Sequence, residues 1–288
     1  MPRHKRNVRT KTVRTLWIGG AFLFLSQLVY WTEPAAAFAV AERLAPNVVW
    51  RFATDKPFAA LSFDDGPDPT YTPQVLAILK RHGAHATFFL IGDRARSHPE
   101  LVQRIKAEGH EVGNHYVMDA SALCHGDSTF LGHLDRTERA IGMTGPRKLF
   151  RPPGGIARPG QIRLARGRGY TTVLGNAYPH DPVRPPVRYI RWLVTKNLGP
   201  GAIVILHDGI RDPRRSIEAL PDILAAGKEK GLQFVSIGTL MKLSENAELS
   251  EKRLAGRQGF HFPFATSGTN ESRPRGGKSR VRPFAALM

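Results

Sequence analysis

Acidic and basic side chains follow several short apolar runs of this sequence, where hydrolytic chemistry could be assembled. Asp64 and Asp65 follow one run. His115 follows a second, with Asp119 shortly after it, and His207 follows a third. Neighbouring carboxylates that leave a strand diverge, so one could bind a metal ion while the other takes a proton from water. Carboxylates and histidines in these positions therefore indicate a metal ion beside a water molecule that it activates.

The cysteine content of this chain limits the kinds of metal site it can form. Cys124 is the sole cysteine, so an internal disulfide and a zinc site with several thiolates are both excluded. Any metal ion must therefore be held by histidine and carboxylate side chains.

Seven short apolar or β-branched runs alternate with six amphipathic stretches in the body of the sequence. This alternation predicts a mainly parallel sheet with crossover helices. In a parallel α/β barrel, reactive side chains gather at the carboxyl ends of the strands, which is where these acids and histidines stand. The strands are expected at residues 59–63, 86–91, 111–114, 149–151, 171–174, 202–206 and 233–237. The helices are expected at residues 73–81, 99–108, 130–141, 161–168, 186–197 and 216–230.

Length and charge limit the class of protein. A chain of 288 residues with 41% hydrophobic content can bury one large core, so a single catalytic domain is expected at residues 58–245. The formal net charge is +18, of which six units lie in residues 1–15 and four in residues 271–282. The remaining +8 accompanies neither a basic helix nor interleaved aromatic residues, so no nucleic-acid partner is expected. Alternatively, the basic ends act as an electrostatic adaptor on an anionic membrane or polymer.

The two ends of the chain have unusual compositions. Residues 1–37 combine a basic stretch, an apolar run and the small residues Ala35 and Ala37. This order predicts a signal peptide or membrane anchor, and hence an exported protein of the cell envelope, periplasm or extracellular space. Cleavage after Ala37 is favoured over anchoring, because the apolar run falls short of the ~20 residues that span a bilayer. Residues 38–57 are expected to form a linker and entry segment, and residues 246–288 a basic, disordered tail.

A hexapeptide and a strand end carry a resemblance to a known family. Residues 62–67 (Ser-Phe-Asp-Asp-Gly-Pro) and 203–209 (Ile-Val-Ile-Leu-His-Asp-Gly) match its first and fifth motifs. Over residues 58–240, the chain resembles the NodB-type polysaccharide deacetylases, carbohydrate esterase family 4. The resemblance implies a distorted (β/α)7 barrel, with Asp64 as general base, Asp65 as metal ligand and His207 as general acid.

The second motif departs from the family pattern. The family places two histidines four residues apart, whereas this chain has His115 and Asp119. If the chain between them forms one helical turn, both side chains share a face, and a triad with Asp65 is still implied. That triad would hold one divalent ion, with Zn²⁺ expected first and Mn²⁺ or Co²⁺ as alternatives. Otherwise, His125 or His180 supplies the third ligand.

The third and fourth motifs also vary. Arg151 and the two prolines after it match the third motif, but Gly154 stands where the family has an aromatic residue. The resemblance implies that Arg151 pairs with Asp64 and that the backbone N–H of Gly154 helps to bind the oxyanion. The fourth motif lacks its tryptophan but keeps Asp181, which the resemblance assigns to orienting His207 and keeping it protonated.

The resemblance implies a metal-dependent hydrolase that removes N-acetyl groups from amino sugars. Its partner would be an N-acetylated polysaccharide or oligosaccharide, such as peptidoglycan or a chitin-like polymer, and a membrane if the N-terminal segment stays uncleaved. Because the altered motifs remove aromatic groove walls, a small amide or an ester is an open alternative substrate. A second alternative is a non-catalytic glycan-binding or envelope protein that retains the barrel.

Overall fold

The computed structural model describes residues 24–246, and within them the chain builds a sheet of eight parallel strands covered by helices. The strands are β1 Val48–Val49, β2 Phe58–Asp64, β3 Thr87–Leu90, β4 Glu111–Asn114, β5 Lys148–Phe150, β6 Tyr170–Val173, β7 Ile203–His207 and β8 Gln233–Val235. Neighbouring strands follow the order β1-β6-β5-β4-β3-β2-β7, and β8 pairs with the first residues of β2. The helices are α1 Ala35–Leu44, α2 Thr72–Arg81, α3 Gly92–Ser97, α4 Pro99–Ala107, α5 Asp127–Ala140, α6 Pro159–Gly167, α7 Val187–Asn197 and α8 Arg214–Glu229. Residues 24–32 and 237–246 are also helical.

All seven predicted strands and all six predicted helices form close to their expected bounds, which confirms the parallel α/β barrel. Pro73 and Pro99 occupy the first turns of α2 and α4, where a missing N–H breaks no hydrogen bond. The sequence pattern missed α1, β1 and α3. With two residues, β1 is too short for any periodicity, and α3 has only six residues directly before α4.

Strand β2 separates the outer core from the inside of the barrel. Leu61 and Phe63 belong to the large apolar cluster between the sheet and the helices, whereas Ala60 belongs to the cluster inside the barrel. Because side chains alternate along a strand, Ser62 and Asp64 continue the inner face that Ala60 begins. The register of β2 therefore delivers a carboxylate to the inside of the barrel at its carboxyl end.

Residues next to β1 close the barrel between β6 and β7. β1 pairs with β6, and the N–H of Phe52 then donates to the carbonyl of Gly201, 2.9 Å away and just before β7. After β6, Ala177 forms a bridge with Val204 of β7. The sheet thus curls into a distorted barrel whose last gap is filled by short segments rather than by a full strand pair.

The contact between Gly201 and Phe52 gives a stability test of this closure. Gly201 has φ +77°, and a Cβ there would overlap the carbonyl oxygen of Phe52. Gly231 has a similar φ of +71° but no atom within 4 Å of its Cβ position. We expect Gly201→Ala to lower the free energy of unfolding by about 2–4 kcal/mol and Gly231→Ala by about 1 kcal/mol. Urea denaturation measures both, and equal losses would exclude a tight closure at Phe52.

The segment before β2 contains secondary structure where a linker was expected. α1 and β1 lie largely within residues 38–57, and the expected cleavage site at Ala35 and Ala37 begins α1. Within residues 24–246, no helix combines the length and apolar character needed to cross a membrane. The chain separates into two units, Met1–Leu249 and Ser250–Met288. Most of the expected leader and nearly all of the expected tail lie outside the described residues.

Candidate active site

The predicted site residues meet at the carboxyl ends of the strands, around a cavity of about 440 Å³. This is the end of the sheet at which a parallel barrel exposes its reactive side chains. One predicted residue, Asp181, stands behind the cavity wall in contact with His207. The others line the cavity: Asp64, Asp65, His115, Asp119, Arg151, Gly154 and His207.

Arg151 fixes the carboxylate of Asp64. Its Nη1 donates to Asp64 Oδ1 at 2.6 Å and to Ser62 Oγ at 2.8 Å. Its Nε donates to the carbonyl of Val173 at 3.1 Å, and the guanidinium lies 4.1 Å from the centre of the Phe89 ring. Arg151 is 1% exposed, so solvent screens this ion pair little. The surrounding barrel therefore holds Asp64 in one orientation at the cavity wall.

Asp65 and His115 form a second pair. His115 Nε2 lies 3.1 Å from Asp65 Oδ1, and with Nδ1 protonated the ring also donates to the carbonyl of Arg151 at 2.8 Å. Burial by itself raises the pKa of Asp65, but the hydrogen bond and charge of His115 outweigh burial and bring the pKa to about 2. Asp65 has φ +68°, a conformation that is uncommon for a residue with a side chain and that clusters at functional sites.

The donor atoms of Asp65 and His115 suit a divalent ion. Bonds of about 2.0–2.2 Å to Zn²⁺ at a tetrahedral angle place two ligand atoms about 3.4 Å apart, near the 3.1 Å between Oδ1 and Nε2. The bond from His115 Nδ1 to the Arg151 carbonyl is the outer contact that orients metal-binding histidines. These two residues therefore fit one ion bound between them.

The helical turn expected between His115 and Asp119 does not form. Tyr116 has φ +73°, which interrupts a right-handed turn, and the residues that follow it form a bend. Asp119 lines the cavity but is exposed. Among residues 24–246, no group of three His, Cys, Asp or Glu side chains is arranged to hold a metal ion. Asp119 as third ligand therefore stays a prediction.

The alternative third ligands lie outside the cavity lining. His125 Nδ1 is 3.0 Å from the hydroxyl of Tyr116, and His180 Nε2 is 2.9 Å from the carbonyl oxygen of Tyr30. Neither histidine lines the cavity. Asp119 is therefore better placed than either to reach an ion held beside His115.

His207 and Asp181 form a third pair of side chains at the site. Asp181 Oδ1 lies 2.9 Å from His207 Nδ1, while Oδ2 accepts from the backbone N–H of His207 at 2.9 Å and from Ser216 Oγ at 2.6 Å. Burial lowers the pKa of His207, but the negative charges of Asp181, Asp64 and Asp65 outweigh burial and raise the pKa to about 9. His207 is therefore protonated at neutral pH.

Gly154 leaves one wall of the cavity open. It lines the cavity with φ +62°, and no atom lies within 4 Å of the position where a Cβ would stand. There is room for a side chain, but a residue other than glycine would be strained in this left-handed conformation. The aromatic wall that the family has at this position is therefore absent.

Sequence reasoning missed nine residues of the lining, among them Glu33, Phe38, Trp50 and Tyr178. Tyr178 lies in the loop after β6, and Glu33, Phe38 and Trp50 come from the segment that was assigned to the leader and linker. Ser216, on α8, was missed as well. No local pattern could have marked these residues, because each reaches the site through contacts with distant parts of the chain.

Comparison with known proteins identifies the family of this chain. Residues 52–173 match the family model of polysaccharide deacetylases. Over 198 residues the chain is 39% identical to a peptidoglycan-N-acetylglucosamine deacetylase of Bacillus cereus, and the alignment covers 68% of this chain and 93% of that protein. This chain belongs to the polysaccharide deacetylase family. This chain is also 36% identical to a chitooligosaccharide deacetylase of Sinorhizobium fredii, and that alignment covers 57% of this chain and 77% of the other protein.

Solved structures of carbohydrate esterase family 4 share the barrel of this deacetylase. The Bc1960 peptidoglycan N-acetylglucosamine deacetylase superposes with a TM-score of 0.65 at 29% identity, over 67% of this chain and 92% of that one. A family 4 pseudoenzyme of Bacillus anthracis has a TM-score of 0.61 at 27% identity, over 67% and 68% of the two chains. An acetyl xylan esterase of Clostridium thermocellum with a cobalt ion has a TM-score of 0.59 at 29% identity, over 65% and 91%.

Proposed function

We propose that this polysaccharide deacetylase removes N-acetyl groups from amino sugars of an envelope or extracellular polysaccharide, assisted by one divalent ion. One observation carries the proposal. Two side chains that face the same cavity are each held by a buried partner. The carboxylate of Asp64 is held by Arg151, and the imidazole of His207 is held by Asp181. Amide hydrolysis needs both a base for the water and an acid for the departing amine.

Asp64 and His207 divide the proton transfers. Asp64 takes a proton from the attacking water, and Arg151 keeps its carboxylate in place. The backbone N–H of Gly154 donates a hydrogen bond to the oxyanion that forms when water adds to the acetyl carbonyl. His207 then gives its proton to the sugar nitrogen as the carbon–nitrogen bond breaks, so the products are acetate and a free amine.

Asp65, His115 and Asp119 would hold the divalent ion. When bound, such an ion polarises the acetyl carbonyl and makes water more acidic. One imidazole and two carboxylates accept Zn²⁺, Mn²⁺ or Co²⁺, and the cobalt in the acetyl xylan esterase supports a divalent ion in this fold. Zn²⁺ is expected first.

Replacing the proposed third ligand tests the metal site. We expect Asp119→Ala to lower the affinity for Zn²⁺ at least about tenfold, since even the loss of an outer-shell partner costs roughly 10–100-fold. His125→Ala, a residue outside the cavity lining, should leave the affinity unchanged. Equilibrium dialysis of each variant measures both values. Metal loss in His125→Ala with none in Asp119→Ala would assign the third ligand to His125.

The pH dependence of acetate release tests His207 as the acid. The reaction needs His207 protonated, so kcat should fall on the alkaline side with an apparent pKa of about 9. Asp181→Asn removes the charge that holds the proton, and we expect the alkaline limb to move down by roughly one to three pH units. A limb that stays in place in Asp181→Asn would show that another group supplies the proton.

The proposed location is the cell envelope or the extracellular space. A basic stretch followed by an apolar run supports export. The Bacillus cereus relative is named for peptidoglycan, which is an envelope polymer. N-acetylglucosamine polymers are therefore the substrates to offer first.

Acetate release by the full-length protein tests the proposed function. The protein is stripped of metal and restored with Zn²⁺, Mn²⁺ or Co²⁺ one at a time, with N-acetylglucosamine oligomers and peptidoglycan fragments as substrates. Acetate that appears only with a divalent ion supports the proposal. Acetate release that survives metal removal would contradict the metal-assisted mechanism.

A non-catalytic glycan-binding role is the second candidate function. It is favoured by the absence of a three-ligand metal group among residues 24–246 and by the similarity to the Bacillus anthracis pseudoenzyme. The two candidates differ in one result of the same experiment. Oligosaccharide binding without acetate release under any of the three metals would favour the binding role.

A further inference from the structure

We propose that Glu33, Phe38 and Trp50 form a sugar-binding subsite beside the acid and base. The inference rests on the proposed function, because it names the part of the site that would recognise the acetylated glycan. All three residues line the same cavity as Asp64 and His207. A cavity of about 440 Å³ lies within the size range of small-ligand pockets, so it has room for more than the acetyl group.

The N-terminal segment is fixed against the barrel by contacts of the residues just before Glu33. The ring of Tyr30 lies 4.2 Å from that of His180. The hydroxyl of Tyr189 donates to the carbonyl of Trp31 at 2.7 Å. These contacts come from the loop after β6 and from α7, which are far away in the sequence. The segment is therefore a built part of the cavity wall in the described structure.

Glu33 presents a carboxyl oxygen to a ligand. Its Oε2 accepts from the backbone N–H of Tyr178 at 3.0 Å and from Asn197 Nδ2 at 3.2 Å. Oε1 lies 3.8 Å from His180 Nε2, beyond hydrogen-bond distance. Burial raises the pKa of Glu33 to about 7, against the hydrogen bond from Tyr178. Near neutral pH this group can accept a hydrogen bond from a sugar hydroxyl or amide, and its protonated form can also donate one.

Phe38 and Trp50 supply an aromatic wall. Their ring centres lie 6.3 Å apart with planes inclined at 56°, so the two rings present an angled apolar surface. The family's third-motif aromatic residue is absent at Gly154, and Gly155 beside it also lines the cavity. The C–H face of a pyranose ring packs on such aromatic side chains. The N-terminal segment therefore compensates for the aromatic wall that the third and fourth motifs lack.

If these residues bind the sugar, substrate binding depends on the N-terminal segment. Cleavage after Ala37 would remove Glu33 and the contacts of Tyr30 and Trp31. It would leave Phe38 at a free chain end. The subsite therefore needs the segment from residue 30 onward to stay attached.

Paired variants of the full-length protein test the subsite. The N-acetylglucosamine tetramer is the probe, followed by acetate release and by calorimetric binding. We expect Trp50→Ala to raise KM and the dissociation constant about tenfold, with kcat within twofold. Phe38→Ala and Glu33→Gln should act in the same direction. Trp192→Ala and Glu100→Gln are matched controls, since both side chains are exposed and lie outside the cavity lining.

Each result decides the inference. Weaker tetramer binding in Trp50→Ala, with unchanged binding in Trp192→Ala, supports the subsite. If the wild-type protein binds the tetramer but releases no acetate, only the proposed hydrolysis fails. Binding within twofold of wild type in Trp50→Ala, Phe38→Ala and Glu33→Gln overturns it. Failure of the wild-type protein to bind the tetramer overturns it as well.

Discussion

Asp64→Asn should lower kcat for acetate release by roughly 10²–10⁴-fold, which is the usual contribution of a positioned general base. The amide keeps an oxygen that can accept the hydrogen bond from Arg151, so the barrel should stay folded. KM should change little, because the substitution removes proton acceptance and leaves the cavity walls intact. Steady-state kinetics with an N-acetylated oligosaccharide at saturating metal measures both constants.

Asp222→Asn is the matched control for this change. Asp222 is half exposed on α8 and pairs with Arg191 on the surface, so its loss should leave kcat within twofold. Circular dichroism of both variants shows whether the fold is retained. If Asp64→Asn kept more than about a tenth of the wild-type kcat while folded, Asp64 would not be the base.

Arg151→Met should lower the free energy of unfolding by about 3–5 kcal/mol, because it leaves Asp64 buried and charged without its partner. The carbonyls of Val173 and Leu174 also lose a donor. Methionine fills much of the space of the arginine side chain, so lost packing should contribute less than lost pairing. Urea denaturation measures the change.

A double variant and a surface variant separate pairing from packing. Adding Asp64→Asn to Arg151→Met removes the unpaired charge, so part of the lost stability should return. Arg191→Met breaks an exposed pair with Asp222 and should cost about 1 kcal/mol or less. Strictly additive losses in the double variant would show that the buried ion pair is not the source of the effect.

Local sequence patterns predicted most of the barrel because its strands and helices are locally encoded. β2 is apolar at five of its seven positions, since helices cover its outer face and the barrel encloses its inner face, and such runs stand out in a sequence. The order of elements also brought Asp64, His115 and His207 to one end of the sheet. That follows from parallel strands, whose carboxyl ends all meet at the same edge.

The loop after β4 shows where local reasoning failed. The spacing of His115 and Asp119 suggested a helical turn, but Tyr116 has φ +73° and the turn does not form. Tyr116 is fully buried and packs 5.8 Å from the ring of Phe130 on α5. Tertiary packing, rather than spacing, therefore set the position of Asp119 relative to His115.

Local patterns in the sequence predicted seven strands, six helices, their parallel pairing and the carboxylates and histidines that stand at the strand ends. The other residues around them come together through tertiary contacts. An apolar run that follows a basic stretch favours a leader, and nothing in that local pattern indicates that Glu33, just after the run, contacts the loop after β6. Its hydrogen bond to Tyr178 spans 145 positions, and contacts at such separation leave no trace in local periodicity.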